Sequence, residues 1–130
     1  MENKRKHLEM IQGVINRMAG NMFLIKGWTI TLIMIFFSLV GRGVNPVIVY
    51  FPMITFWILD GYFLSQERLF RSLYDDVREV DENNIDFSMN INKYLKKRKN
   101  GLLYSIFSPI LLWFYTSLIV IVFIIIYLIK

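Results

Sequence analysis

Hydrophobic and polar residues in this chain are gathered into long blocks rather than alternated. Gly27–Gly41 reads GWTITLIMIFFSLVG without a charge, short of the roughly 20 residues that a bilayer crossing needs. Extending the block back through Asn21–Lys26 supplies the length and puts Lys26 near an interface that its stem can reach by snorkelling. A second block, VNPVIVYFPMITFWIL from Val44 to Leu59, continues past Asp60 as far as Leu64. The third, PILLWFYTSLIVIVFIIIYLI from Pro109 to Ile129, is the strongest span. Residues 102–108 extend it but do not suffice for another crossing, and Ser108-Pro109 predicts a bend between an interfacial turn and the span. The pattern predicts an all-α membrane protein with three transmembrane helices, at 21–41, 44–64 and 109–129.

The remaining segments carry helical periodicity of their own. Leu8, Ile11, Ile15, Met18, Met22 and Ile25 recur at steps of three and four, the face of an amphipathic helix over 1–20 that leads into the first span. Such a stripe suits a coiled-coil seam, a membrane-surface helix, or packing against the second polar element, with packing inside the protein as the default. After Asp60, Leu69, Leu73, Val77 and Val80 keep one side of a helix, so the second span is expected to run unbroken from about Pro46 to Glu82. Glu67–Arg71, Asp75–Arg78 and Arg78–Glu82 are spaced to support it by intrahelical pairing. Asn83-Asn84 should end it, and the loop IDFSMNIN should lead into a basic helix start, KYLKKRK, within the segment 65–108.

Charge sets the orientation. All basic residues except Arg42 and Lys130 fall on the side of the N-terminus. The positive-inside rule then places the N-terminus and the segment 65–108 in the cytoplasm and the C-terminus outside. Lys4, Arg5 and Lys6 resemble the basic start of a signal peptide, but Glu9, Gln12, Asn16 and Arg17 interrupt the apolar stretch that should follow, so the segment is expected to stay on the protein.

Composition removes most chemistry. The chain of 130 residues is 55% hydrophobic and 19% charged, with no cysteine and one histidine, which excludes thiol nucleophiles, disulfides and a zinc site of the usual His/Cys kind. No glycine-rich phosphate loop is present. Neither an enzyme nor a cofactor or metal site is expected.

Three groups of residues are candidates for function. Lys26 and Asp60 lie equally far along the chain from Gly43, so antiparallel helices would set them at one depth near the inner edge of the hydrocarbon. An ion pair locking the first two spans is the economical outcome; a charged ring at the mouth of an oligomeric pore is the alternative. Gly27, Thr31, Ile35 and Ser38 form a small and polar stripe on the first span, suited to close helix packing or to lining a narrow pore. Glu67, Arg68, Arg71, Asp75 and Arg78 alternate in sign along the predicted cytoplasmic stalk. The third span beyond Ser117 is uniformly apolar and should face lipid. Lys93, Lys96, Lys97, Arg98 and Lys99 should touch anionic lipid heads, each for about 1 kcal/mol. With only Tyr94 beside them as an aromatic platform, specific nucleic-acid binding is not expected. Trp28, Trp57, Tyr62 and Trp113 suit the interfacial aromatic belt.

The blocks GVINRMAGNMFLIKGW (Gly13–Trp28) and LDGYFLSQERLFRSLYDDVR (Leu59–Arg78), followed by IDFSMN (Ile85–Asn90), resemble a family of small multi-span bacterial inner-membrane proteins of the antiphage-effector type. The resemblance covers roughly residues 7 to 115. It implies a homo-oligomer that permeabilises the inner membrane in response to a nucleotide signal, sensed through the short cytoplasmic helices or a soluble partner protein. A regulated channel or pore-forming effector is therefore the leading expectation. A non-conducting scaffold that holds a soluble enzyme at the membrane is the alternative. A transporter is disfavoured, because three spans offer no repeat and no broken-helix site.

Overall fold

The computed structural model describes residues 2–129; Lys130 and the side chain of Arg98, both named above, lie outside the described residues. The described residues form helices and turns without a strand: α1 Glu2–Val40, α2 Tyr50–Arg78, α3 Leu102–Ile106 and α4 Pro109–Ile129, with short 3-10 turns between them. α1, the Pro46–Arg78 segment that contains α2, and α4 are each long and apolar enough to cross a membrane, as in a multi-pass membrane protein.

α1 and α2 are joined by a tight turn whose chemistry is local. Val44 N–H donates to Leu39 O at 3.2 Å and Gly43 N–H to Val40 O at 3.0 Å, the paired closure that satisfies carbonyls left over at a helix end. Gly43 has φ +99°, a conformation that side chains disfavour. Asn45 then accepts from Val47 N–H at 3.0 Å, and Pro46 stands at the first position of the next helical turn, where a missing N–H costs nothing.

Both long helices exceed the thickness of a hydrocarbon core. The 39 residues of α1 reach about 60 Å at 1.5 Å per residue, roughly twice a hydrocarbon core. The overhangs pair as a stalk: Ile11 and Ile15 of α1 pack with Leu69, Leu73 and Val77 of α2 and with Tyr94. Nearer the turn, Ile33, Val49, Met53 and Val122 join α1, the start of α2 and α4. Between these clusters, Leu64, Leu111 and Tyr115 join α2 to α4.

Two expectations about the segment after α2 are corrected. α2 ends at Arg78 rather than Glu82. Glu79 and Val80 bond back to Asp76 O and Val77 O, tightening the last turn, and Glu82 instead accepts from the backbone N–H groups of Asn3 (2.8 Å) and Lys4 (3.1 Å). It caps the start of α1, whose first N–H groups have no partner within their own helix, while Arg78 stands beside Asp75 and Glu79. The basic run KYLKKRK is likewise not an α-helix start but part of two 3-10 turns, Asn92–Lys96 and Arg98–Asn100. Its ends are tied down from both sides: Tyr94 donates to Asp76 Oδ2 at 2.6 Å, while Asn100 Nδ2 donates to Ser72 Oγ and Tyr94 O, each at 3.1 Å. Tertiary anchoring outweighs the modest helix propensity of lysines.

Candidate functional site

The densest polar chemistry inside the spans is a cluster built on Asp60. Lys26 Nζ, on α1, lies 2.7 Å from Asp60 Oδ2, on α2; the Asp60 side chain is 0% exposed and that of Lys26 23%. Tyr115, from α4, donates to the same oxygen at 3.0 Å and lies 3.2 Å from Phe56 O. All three long helices therefore meet on one carboxylate. Asp60 Oδ1 is buried without a hydrogen-bond partner. Thr29, one turn from Lys26 and fully buried, returns its hydroxyl to Ile25 O at 2.7 Å.

Aromatic rings hold this cluster in place. Trp57 stacks on Tyr115 with centroids 5.5 Å apart and planes 2° from parallel, and its Nε1–H donates to Ile106 O at 2.8 Å. Phe114 places its ring 5.6 Å from Lys26 Nζ, close enough for a cation–π contribution. α3 closes over the same region through Gly61: a Cβ there would collide with Ile106 Cγ1 and stand 3.0 Å from Ile106 Cα. Gly61 is thus where two backbones approach closely.

The small stripe lies elsewhere. Gly27, Thr31, Ile35 and Ser38 are exposed, and a Cβ at Gly27 would meet nothing within 4 Å. Among the described residues, no element packs closely on them. Trp28, Tyr62 and Trp113 are also exposed, whereas Trp57 is half-buried in the cluster. α4 beyond Ser117 is largely exposed, apart from Val122.

In the stalk the charges have different partners. Arg71 donates to Glu67 Oε1 through Nε (2.9 Å) and Nη2 (2.6 Å), and Glu67 is buried. Arg78 stands 3.8 Å from Asp75. Arg68 instead donates to Lys99 O at 3.0 Å and lies over Tyr104, tying α2 to the basic segment. Lys93 is 3.7 Å from Asp76, and Lys93 and Lys97 both flank the Tyr94 ring. Lys96, Lys97 and Lys99 are exposed. Burial, reinforced by the hydrogen bond to Asp76 and its charge, pushes the Tyr94 phenol above its ordinary range, so it stays a donor.

Tyr115, Trp57 and Gly61 are absent from the residues that the sequence singles out as a site. A tyrosine within an apolar span, with a hydroxyl needing a partner away from water, is the signal that points to Tyr115. Set against models of known protein families, curated proteins and solved structures, the chain matches none.

Proposed function

We propose that the protein is an oligomeric bacterial inner-membrane effector whose copies associate through their spans to form a regulated channel or otherwise permeabilise the membrane. Antiphage defence is the setting implied by the resemblance of Gly13–Trp28 and Leu59–Arg78. The observation that carries the reading is the uncovered face of α1. Gly27, Thr31 and Ser38 point away from the rest of their own chain, and small residues on a lipid-facing helix let a second backbone approach. Cyclic repetition of that contact around an axis is the ordinary route to a closed assembly.

Regulation follows from continuity. α1 and α2 each run without a break from the stalk cluster to the cluster near the turn, so a stimulus that shifts the stalk also shifts the spans. It needs only to bind one arrangement better than the other. In this reading the stalk and the N-terminus are cytoplasmic, and Lys96, Lys97 and Lys99 rest against anionic lipid heads. The Lys26–Asp60 contact, closed within one chain, favours a lock between spans over a charged ring.

A non-conducting scaffold is the second reading, favoured by the folded 79–101 segment with its exposed lysines as a landing surface for a soluble partner. Membrane potential in cells separates the two. Induction of the wild-type protein should depolarise the inner membrane and stop growth, whereas an intact potential with the protein in the membrane would leave the scaffold.

A further inference from the structure

α3 and the turn into α4 carry large apolar side chains on the outside of the described chain. Leu103 is 73% and Phe107 59% exposed, and with Leu102, Tyr104 and Pro109 they border a groove of about 670 Å³. The backbone beneath them is fixed: Gly61 approaches Ile106 closely, and Trp57 donates to Ile106 O at 2.8 Å. Apolar side chains held outward on a fixed backbone mark a surface that meets something apolar.

Helix lengths set the depth of this groove. α4 has 21 residues, about 31 Å at 1.5 Å per residue, which matches a hydrocarbon core of about 30 Å. With α4 crossing, Pro109 stands at the edge of the core on the stalk side and α3 just outside it. Along α2, Tyr50 to Arg68 covers about 27 Å, and the Pro46–Val49 turn precedes it. The same measure brings Arg68 to headgroup level.

Arg68 is the stalk cation without an opposite charge. Arg71 pairs with Glu67, and Arg78 stands beside Asp75 and Glu79, whereas Arg68 meets no carboxylate among the described residues. Its guanidinium is fixed instead through Nη1, which donates to Lys99 O at 3.0 Å and to Ser105 Oγ at 3.4 Å, and it lies over the Tyr104 ring. The Nε and Nη2 hydrogens keep no acceptor among the described residues. That edge of a guanidinium is one that takes a phosphate through two parallel bonds. Lys99, next to it, is exposed, and Tyr104 joins the cation to the apolar groove.

We infer that Arg68 and Lys99 hold the phosphate of one anionic glycerophospholipid, whose acyl chain lies along Leu102, Leu103 and Phe107. This deepens the headgroup contact proposed for Lys96, Lys97 and Lys99 and rests on that membrane placement, but not on conduction. A soluble phosphate would leave the groove bare, and lysines alone would attract anionic lipid without selecting one molecule. The lipid so held would join α2 to α3.

The chain has no cysteine, so Ile110→Cys, at an exposed residue beside the groove, carries a single bimane label. The labelled protein is placed in phosphatidylcholine vesicles with a rising share of chain-brominated phosphatidylglycerol. The site predicts quenching that saturates at a low share, with a preference of about tenfold over brominated phosphatidylcholine, the scale that two basic groups at a headgroup supply. Arg68→Gln should lower that preference about fivefold, while Lys96→Gln combined with Lys97→Gln leaves it nearly unchanged. Lys99→Gln, a surface substitution, should also lower it and carries the test if Arg68→Gln does not fold. A preference kept in both Arg68→Gln and Lys99→Gln, or quenching in simple proportion to the brominated share, would overturn the site and leave a diffuse basic surface. Displacement by glycerol phosphate would overturn it in favour of a soluble anion. A label that no brominated lipid quenches would overturn it in favour of a second copy covering the face. Quenching needs no conductance, so a silent bilayer overturns the channel reading and leaves this one standing.

Discussion

Tyr115 donates its hydroxyl to the oxygen of Asp60 that also holds Lys26, at 3.0 Å and 2.7 Å respectively. One buried carboxylate therefore receives an ammonium from α1 and a phenol from α4. In a low-dielectric interior, such a group is tolerable only while its partners remain. Tyr115→Phe removes one donor while keeping the Trp57 stack. It should cost about 1 kcal/mol, the scale of hydrogen bonds measured between membrane helices, read as reduced unfolding stability in micelles.

Removing the charges should be unequal. Asp60 has no exposure, whereas Lys26 retains 23% and a flexible stem. Lys26→Met strands a buried carboxylate and should cost up to about 3–5 kcal/mol. Asp60→Asn leaves a lysine that can snorkel, and should cost less. The exchange Lys26→Asp with Asp60→Lys should recover part of the loss. Equal stability of the two single variants, or an exchanged protein no better than either, would contradict the pairing as a lock.

The glycines give a contrast within one molecule. Gly61→Ala drives a methyl group into Ile106, and overpacking of this kind costs about 1–3 kcal/mol; Ile106→Ala in the same chain should relieve part of it. Gly27→Ala meets nothing in its own chain, so the fold should hold or gain slightly from helix propensity. If the stripe joins copies, Gly27→Ala or a bulkier Gly27→Leu should lower the mass of the detergent-solubilised assembly.

Reversal at Arg71 probes the stalk. Arg71→Glu sets a like charge beside buried Glu67, and should prevent depolarisation while the protein still reaches the membrane. A variant that depolarises as the wild type does would show that the stalk charges serve only solvation.

Legibility in the sequence varies with how local the cause is. Gly43 and the charge-free blocks mark the turn and the three long helices, because glycine geometry and hydrocarbon thickness act on contiguous residues. Equal distance from Gly43 puts Lys26 and Asp60 at one depth. Helical spacing back from Ile11 reaches His7, yet a lone histidine beside Lys4, Arg5 and Lys6 reads as part of a basic start rather than as a buried residue. The end of α2 at Arg78 and the 3-10 turns at 92–100 depend on Tyr94, Asn100 and Glu82 finding distant partners, which no window of sequence contains. The outward turn of the Gly27–Ser38 stripe, and the choice of Gly61 for close approach, follow from where α3 and α4 settle. Periodicity alone does not say which side of a helix they will cover.

The most direct test of the central proposal is ionic current through the purified protein in a planar bilayer, with its mass in detergent measured on the same sample. The account predicts discrete or graded current from a species several times the mass of one chain, diminished in Gly27→Leu. A folded protein that carries no current under activating conditions, or current from a monomer, would contradict it.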